Sequence, residues 1–262
     1  MSEDKKLMLL TGGNSGIGLE ACKILCERGH KIVATVRSDE KGAHCLSEVK
    51  SAVPDADIHY MICEMSDVDS VKKLAEEFKS TWLADGQLLD VLINNAGCYF
   101  DGNDRHVCST NEEWEITFAT NAIGPILLTD LLIENLKETA SEKGEARIVM
   151  VNSTVTTMEE IEPYQTDFND LMLAKPKTYK NGIRAYKNSK VALMMATLGM
   201  LDELKDTKVT LNSMCPGPIA GTNLFRSNAG DANKGNLKEP SPQCADREKQ
   251  KKMIQVIRDM LK

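Results

Sequence analysis

The chain has 262 residues, 42% hydrophobic and 27% charged, with a formal net charge of −7. That length can bury a large core, and an acidic surface repels phosphodiesters, which argues against a nucleic-acid partner. Residues 1–6 are short and charged and run straight into an apolar strand, and no run of 18 apolar residues occurs. The expectation is therefore no signal peptide and no transmembrane segment.

Strand and helix patterns alternate along the chain. Residues 7–10 read as a strand before a glycine-rich turn. Residues 17–28 read as a helix with Leu19, Ile24 and Leu25 as apolar members and Gly29 as its stop. Residues 31–36 form a second strand, and a helix around 45–51 precedes a third at 58–63. Residues 68–82 are helical and 89–93 form a fourth strand. Thr110 and Glu113 suggest a capping box for a long helix through Leu136. A fifth strand at 147–151, a helix at 184–204 and a sixth strand at 209–214 follow. Residues 223–246 are rich in Gly, Pro and Asn and read as irregular, and 247–262 as a terminal amphipathic helix. This alternation predicts an α/β fold, a doubly wound parallel sheet flanked by helices, as one domain over 1–262. Segments 154–185 and 217–246 would form its substrate side.

The eight cysteines, at 22, 26, 45, 63, 98, 108, 215 and 244, form no CxxC pair. They read as reduced structural thiols in a reducing, cytoplasmic setting, with no metal site.

The first strand ends in Thr11-Gly12-Gly13-Asn14-Ser15-Gly16-Ile17-Gly18. Glycines there let the backbone turn tightly and approach a pyrophosphate, and the next helix offers it N–H groups and a positive dipole end. A strand, then this turn, then a helix predicts a Rossmann-type dinucleotide site. The TGxxxGxG spacing resembles the short-chain dehydrogenase/reductase family in its smaller, single-domain branch.

The second strand ends Val36-Arg37. An acid at this point would hold a ribose 2′-OH, as NAD sites do; a cation suits the 2′-phosphate of NADP. Arg37 matches phosphate in bidentate fashion, so NADP(H) is preferred and NAD(H) remains open. Glu64-Met65 stands where the family carries an aspartate for the adenine amino group. Asn94-Asn95-Ala96-Gly97 matches the family's NNAG element, and Asn95, Ala96 and Gly97 would pass close to the adenosine ribose.

Tyr186 and Lys190 are four apart on a helix, hence on one face. A cation about 4–5 Å from a phenol at an effective dielectric of ~20 favours phenolate by roughly 3–4 kcal/mol. That is about two to three pKa units, enough to bring the tyrosine toward working pH. Ser153 ends the fifth strand, at the carboxyl edge where such sheets bind ligands, and its hydroxyl can stabilise charge growing on a carbonyl oxygen. Asn121 interrupts a mainly apolar helix. Asn121, Ser153, Tyr186 and Lys190 resemble the family's catalytic tetrad in order and context. In the family, the asparagine organises a water and the lysine binds the nicotinamide ribose. Pro216-Gly217 resembles the nicotinamide-side turn, with Ile219 offering its backbone N–H and Thr222 a hydroxyl.

The resemblance implies hydride exchange between NADP(H) and a carbonyl/alcohol pair, as in retinol dehydrogenase-like and carbonyl reductase-like members. The substrate would be a lipophilic aldehyde, ketone, retinoid or steroid. Met158, Ile161, Tyr164, Phe168, Leu171 and Met172, with Leu224 and Phe225, either wall its pocket or anchor loops. After Thr222 the chain is shorter than those relatives, which predicts a terminal helix covering a sheet edge or face left open. It leaves a homo-oligomer open, and also an alternative: a dinucleotide-binding regulatory or scaffold protein with little turnover.

Overall fold

The computed structural model describes residues 5–154, 165–217 and 241–262. Its strands are β1 (Leu7–Thr11), β2 (Lys31–Val36), β3 (Ile58–Ile62), β4 (Val91–Asn94), β5 (Ala146–Val151) and β6 (Val209–Met214). All pair in parallel, in the order β3-β2-β1-β4-β5-β6. The chain winds outward from β1 one way and from β4 the other. The crevice at the carboxyl ends of β1 and β4 is therefore the topological switch point, where such sheets take ligands.

Period-two alternation divides the core. Leu7 and Leu9 of β1 pack into one layer with Val33, Leu92, Ile148 and Met150. That layer is covered by α3 (Val68–Phe78), α5 (Gly124–Lys143) and α6 (Gly182–Gly199). Met8 and Leu10 face the other way, with Ile32 and Ala34, against α1 (Gly16–Glu27) and α2 (Asp39–Ala52). In α1 the buried face is Leu19, Cys22 and Cys26, whereas Ile24 is exposed. Gly29, at φ +86°, follows its last turn as expected. All eight cysteines are free.

Three expectations shift. The fourth strand runs over Val91–Asn94, because Asp90 turns its carboxylate to the Leu7 N–H (2.8 Å) and to Lys143 Nζ (2.7 Å). The long helix is not opened by Thr110 and Glu113. Val107 bridges to Glu115, whose buried carboxylate accepts the N–H groups of Thr117 (3.0 Å) and Phe118 (2.7 Å) and caps α4 (Ile116–Phe118). A π-helical turn, Ala119–Ile123, joins α4 to α5. The whole unit Ile116–Lys143 is long and apolar enough to cross a membrane, but 83% of its apolar window is buried inside the protein, as befits a core helix.

The third shift concerns the C-terminal end. After α7 (Leu201–Leu204), β6 and α8 (Pro242–Ala245), helix α9 (Arg247–Met260) packs on α6 rather than on a sheet edge. It buries Met253, Ile254 and Ile257 in the main core. The two helices approach so closely that a Cβ at Gly199 would lie 2.6 Å from the Gln250 carbonyl oxygen. Arg258 spans the layer, bidentate to Asp130 of α5 (2.7 and 2.8 Å) and paired with Glu203 of α7. Arg147, Thr210 and Met214 remain exposed along β5 and β6, and Val149 is only half-buried.

Candidate active site

The glycine turn sits on the switch point. Gly12 adopts φ +74°, and its N–H and that of Gly13 both donate to the Thr35 carbonyl at 3.1 Å. A Cβ at Gly13 would fall 2.6 Å from Ala34 Cβ, and one at Gly18 would overlap the Gly12 carbonyl. Asn95 braces the turn from the side, donating through Nδ2 to the carbonyls of Thr11 (2.8 Å) and Gly12 (3.2 Å). The backbone N–H groups of Asn95 and Ala96 both donate to Thr11 Oγ1 at 3.0 Å. Thr11, Thr35 and Cys45, whose thiol donates to the Gly13 carbonyl at 3.1 Å, hold this loop and were missed in the sequence. The only signal was a threonine at or next to the end of each of two apolar strands.

Asn14, Ser15, Gly16 and Ile17 form the partly exposed rim. Ser15 precedes α1 in extended conformation without capping it by its side chain. By contrast α2, α3, α6 and α9 are capped by Ser38, Asp67, Asn181 and Asp246. The first-turn N–H groups of α1 therefore remain for an anion, with no acid in that turn to repel it. Together with the glycine cradle, this fits a dinucleotide pyrophosphate.

At the end of β2, where the adenosine is expected, Val36 is buried and Arg37 is exposed beside it. Glu64 is partly committed: its Oε1 accepts from the Ser66 N–H (3.2 Å) and hydroxyl (3.0 Å). Met65 is buried, its carbonyl pressed against Gly124, where a Cβ would overlap it. Gly97 leaves room beside two of the expected catalytic residues, since a Cβ there would be 3.3 Å from Asn121 Oδ1 and 3.7 Å from Lys190 Nζ.

The four expected catalytic residues come from three places: the π-helical turn, the segment just after β5, and α6, which carries both Tyr186 and Lys190. Asn121 lies in the π-helical turn and is fully buried. Its Oδ1 accepts the Cys98 N–H (2.8 Å), and its Nδ2 donates to the Cys98 carbonyl (2.9 Å) and to Ser189 Oγ (3.0 Å). Ser189 in turn donates to the Tyr186 carbonyl at 2.8 Å. Asn121 thus staples the loop after β4 to α6, and Ser189 is a positioning residue that the sequence reading missed. Ser153, at the end of β5, is hydrogen-bonded to Tyr186. Lys190 donates to the Val151 carbonyl at 2.9 Å and lies 5.9 Å from the centroid of the Tyr186 ring.

The electrostatics correct one expectation. Burial pushes the Tyr186 phenol up to about 12, outweighing the hydrogen bond from Ser153. Burial likewise lowers Lys190 to about 8. With its ammonium turned to Val151, Lys190 does not bring the phenol toward neutrality. Two thiols also face the pair, Cys98 and Cys215. Cys98 is itself pushed up to about 12 by burial, so it stays neutral at working pH.

After β6, in the turn expected on the nicotinamide side, Pro216 leads into Gly217, which is at φ +76° and donates its N–H to Cys215 Sγ at 3.4 Å. Ile219 and Thr222 lie outside the described residues, as do Met158, Ile161, Tyr164, Leu224 and Phe225. Leu171 and Met172 pack into the core and Phe168 packs against it under Lys252, so these three anchor their segment.

A parallel sheet with a glycine cradle at its switch point, facing a Ser–Tyr–Lys cluster, defines a dinucleotide-binding α/β protein. The family profile described as short chain dehydrogenase matches residues 6–165, and the chain belongs to that family. It is 34% identical over 225 residues to the short-chain dehydrogenase TIC 32 B, chloroplastic, of Brassica napus, covering 83% of this chain and 65% of that one. Against retinol dehydrogenase 11 of Homo sapiens it is 33% identical over 214 residues, covering 82% and 61%. The chain thus spans less than two thirds of the length of these relatives. A short-chain dehydrogenase structure from Streptomyces avermitilis superposes with a TM-score of 0.62 at 23% identity, covering 97% of this chain and 78% of that one.

Proposed function

We propose that the protein is an NADP(H)-dependent oxidoreductase that interconverts a lipophilic carbonyl compound and its alcohol. The observation that carries this reading is the Tyr186–Ser153 hydrogen bond at the carboxyl edge of the sheet, with Lys190 buried behind it and the glycine cradle alongside. When bound, the nicotinamide supplies or accepts the hydride. Arg37 would hold the 2′-phosphate, and the α1 N-terminus the pyrophosphate. Lys190, beside Gly97, would reach the ribose on the nicotinamide side.

Ser153 donates to the substrate oxygen and stabilises charge developing on it. Tyr186 is neutral at working pH because its phenol stands near 12, so it is in the form that donates a proton to that oxygen. The likeness to retinol dehydrogenases supports a lipophilic substrate, and eight free thiols suit a reducing compartment such as the cytoplasm.

The test is a binding and turnover screen. NADPH and NADH are titrated by nicotinamide fluorescence, and cofactor oxidation is then followed with aldehydes, quinones and retinoids. Tighter NADPH binding with turnover of apolar carbonyls is expected. Tighter NADH binding, or saturable NADPH binding with no turnover across the panel, would contradict the reading.

A further inference from the structure

The loop after β4 carries an aromatic residue that the proposed reaction does not use. The Tyr99 ring meets the Tyr186 ring edge-on, with centroids 5.8 Å apart and planes at 86°. Its hydroxyl donates to Asp101 Oδ1 at 3.0 Å, and the same oxygen accepts the Gly102 N–H at 2.9 Å. The Gly102 carbonyl accepts the Gly182 N–H at 2.8 Å, at the first residue of α6 and one turn before Tyr186. Gly182 lies so close to the loop that a Cβ there would overlap the Phe100 carbonyl oxygen. Residues 99–102 and the first turn of α6 are therefore braced together, and Tyr99 is the part of the brace that reaches the phenol ring.

We propose that Tyr99 is a positioning residue for Tyr186: its ring, tethered through Asp101, fixes the Tyr186 ring and keeps water away from it. The catalytic consequence rests on the reading of Tyr186 as the acid/base; the structural claim is testable without turnover. Tyr186 is only 2% exposed, and burial is the main cause of its high pKa. The groups facing it are Ser153 from the end of β5, Lys190 from its own helix, and Cys98 and Cys215 from the loops after β4 and β6. Tyr99 adds no charge, since burial and the Asp101 carboxylate hold its own phenol above the usual range. Its influence is then exclusion of water, which a ring without a hydroxyl preserves in part and a methyl group does not.

The experiment compares wild type, Tyr99→Phe and Tyr99→Ala, each with and without Tyr186→Phe. The difference in near-ultraviolet phenolate absorbance within each pair isolates Tyr186, with circular dichroism confirming the fold. In wild type, no Tyr186 phenolate is expected below about pH 11. Tyr99→Ala should bring its midpoint from about 12 toward 10.0, so that phenolate appears in that range. Tyr99→Phe, which keeps the ring but loses the tether to Asp101, should shift it less than half as far. If Tyr99→Ala does not fold, Tyr99→Leu makes the same comparison. In turnover, Tyr99→Ala should lower kcat about tenfold or more with little change in KM for NADPH, and Tyr99→Phe should recover most of the loss. A Tyr186 midpoint unmoved in the folded Ala or Leu variant would overturn the proposal. An inactive wild type would count against the proposed function alone, because the titration does not depend on turnover.

Discussion

Lys190 gives the residue scale its clearest sign. Its ammonium titrates near 8 in the folded chain against 10.5 unfolded. Between those values the unfolded chain keeps a proton that the folded one has released, so folding stability rises with pH across that window. Below pH 8 the buried charge costs up to about 3 kcal/mol. Urea unfolding of wild type and Lys190→Met should show wild type gaining on the variant from pH 8 to 10.5. A pH-independent difference would mean that Lys190 is not strained by burial. Arg37 is exposed, so Arg37→Ala should leave stability nearly unchanged. It should weaken NADPH relative to NADH by roughly 1.5–3 kcal/mol, the value of a charge-assisted contact, in a fluorescence titration. Equal loss for both cofactors would remove Arg37 from the phosphate site. That Tyr186, Lys190 and Ser153 come together was legible from helix spacing and a strand end, whereas Asn121 was picked out only by the family resemblance. The direction of the tyrosine shift was not, because desolvation depends on what lies overhead: Tyr99 and the 99–102 loop.

At the scale of elements, the strands were legible from short apolar runs between turn signals, and β2 and β6 match the expected bounds. The start of the long helix was not. Thr110 and Glu113 have capping-box spacing, but the Val107–Glu115 bridge moves the cap to a carboxylate with no sequence partner. The destination of α9 was equally hidden, since an amphipathic stripe states that a face is buried but not against what. Its packing on α6 makes a prediction. Ile257 is fully buried there, so Ile257→Ala should cost about 2–4 kcal/mol in urea unfolding. Deleting residues 247–262 should lower the melting temperature sharply. An unchanged melting temperature would show that α9 contributes nothing to the core it caps.

Across the whole molecule, two halves of the sheet meet to make one site. The glycine turn follows β1, Gly97 follows β4, Ser153 follows β5 and Tyr186 lies on α6, so no single element holds the site. Asn95, Asn121 and Ser189 tie those parts together by hydrogen bonds. The measurement that tests this account most directly follows nicotinamide absorbance with an active apolar aldehyde for wild type and Tyr186→Phe, beside NADPH binding of each. The account predicts closely similar NADPH affinity and loss of nearly all turnover in the variant, because only the proton donor is removed. Near-wild-type turnover by Tyr186→Phe would contradict it.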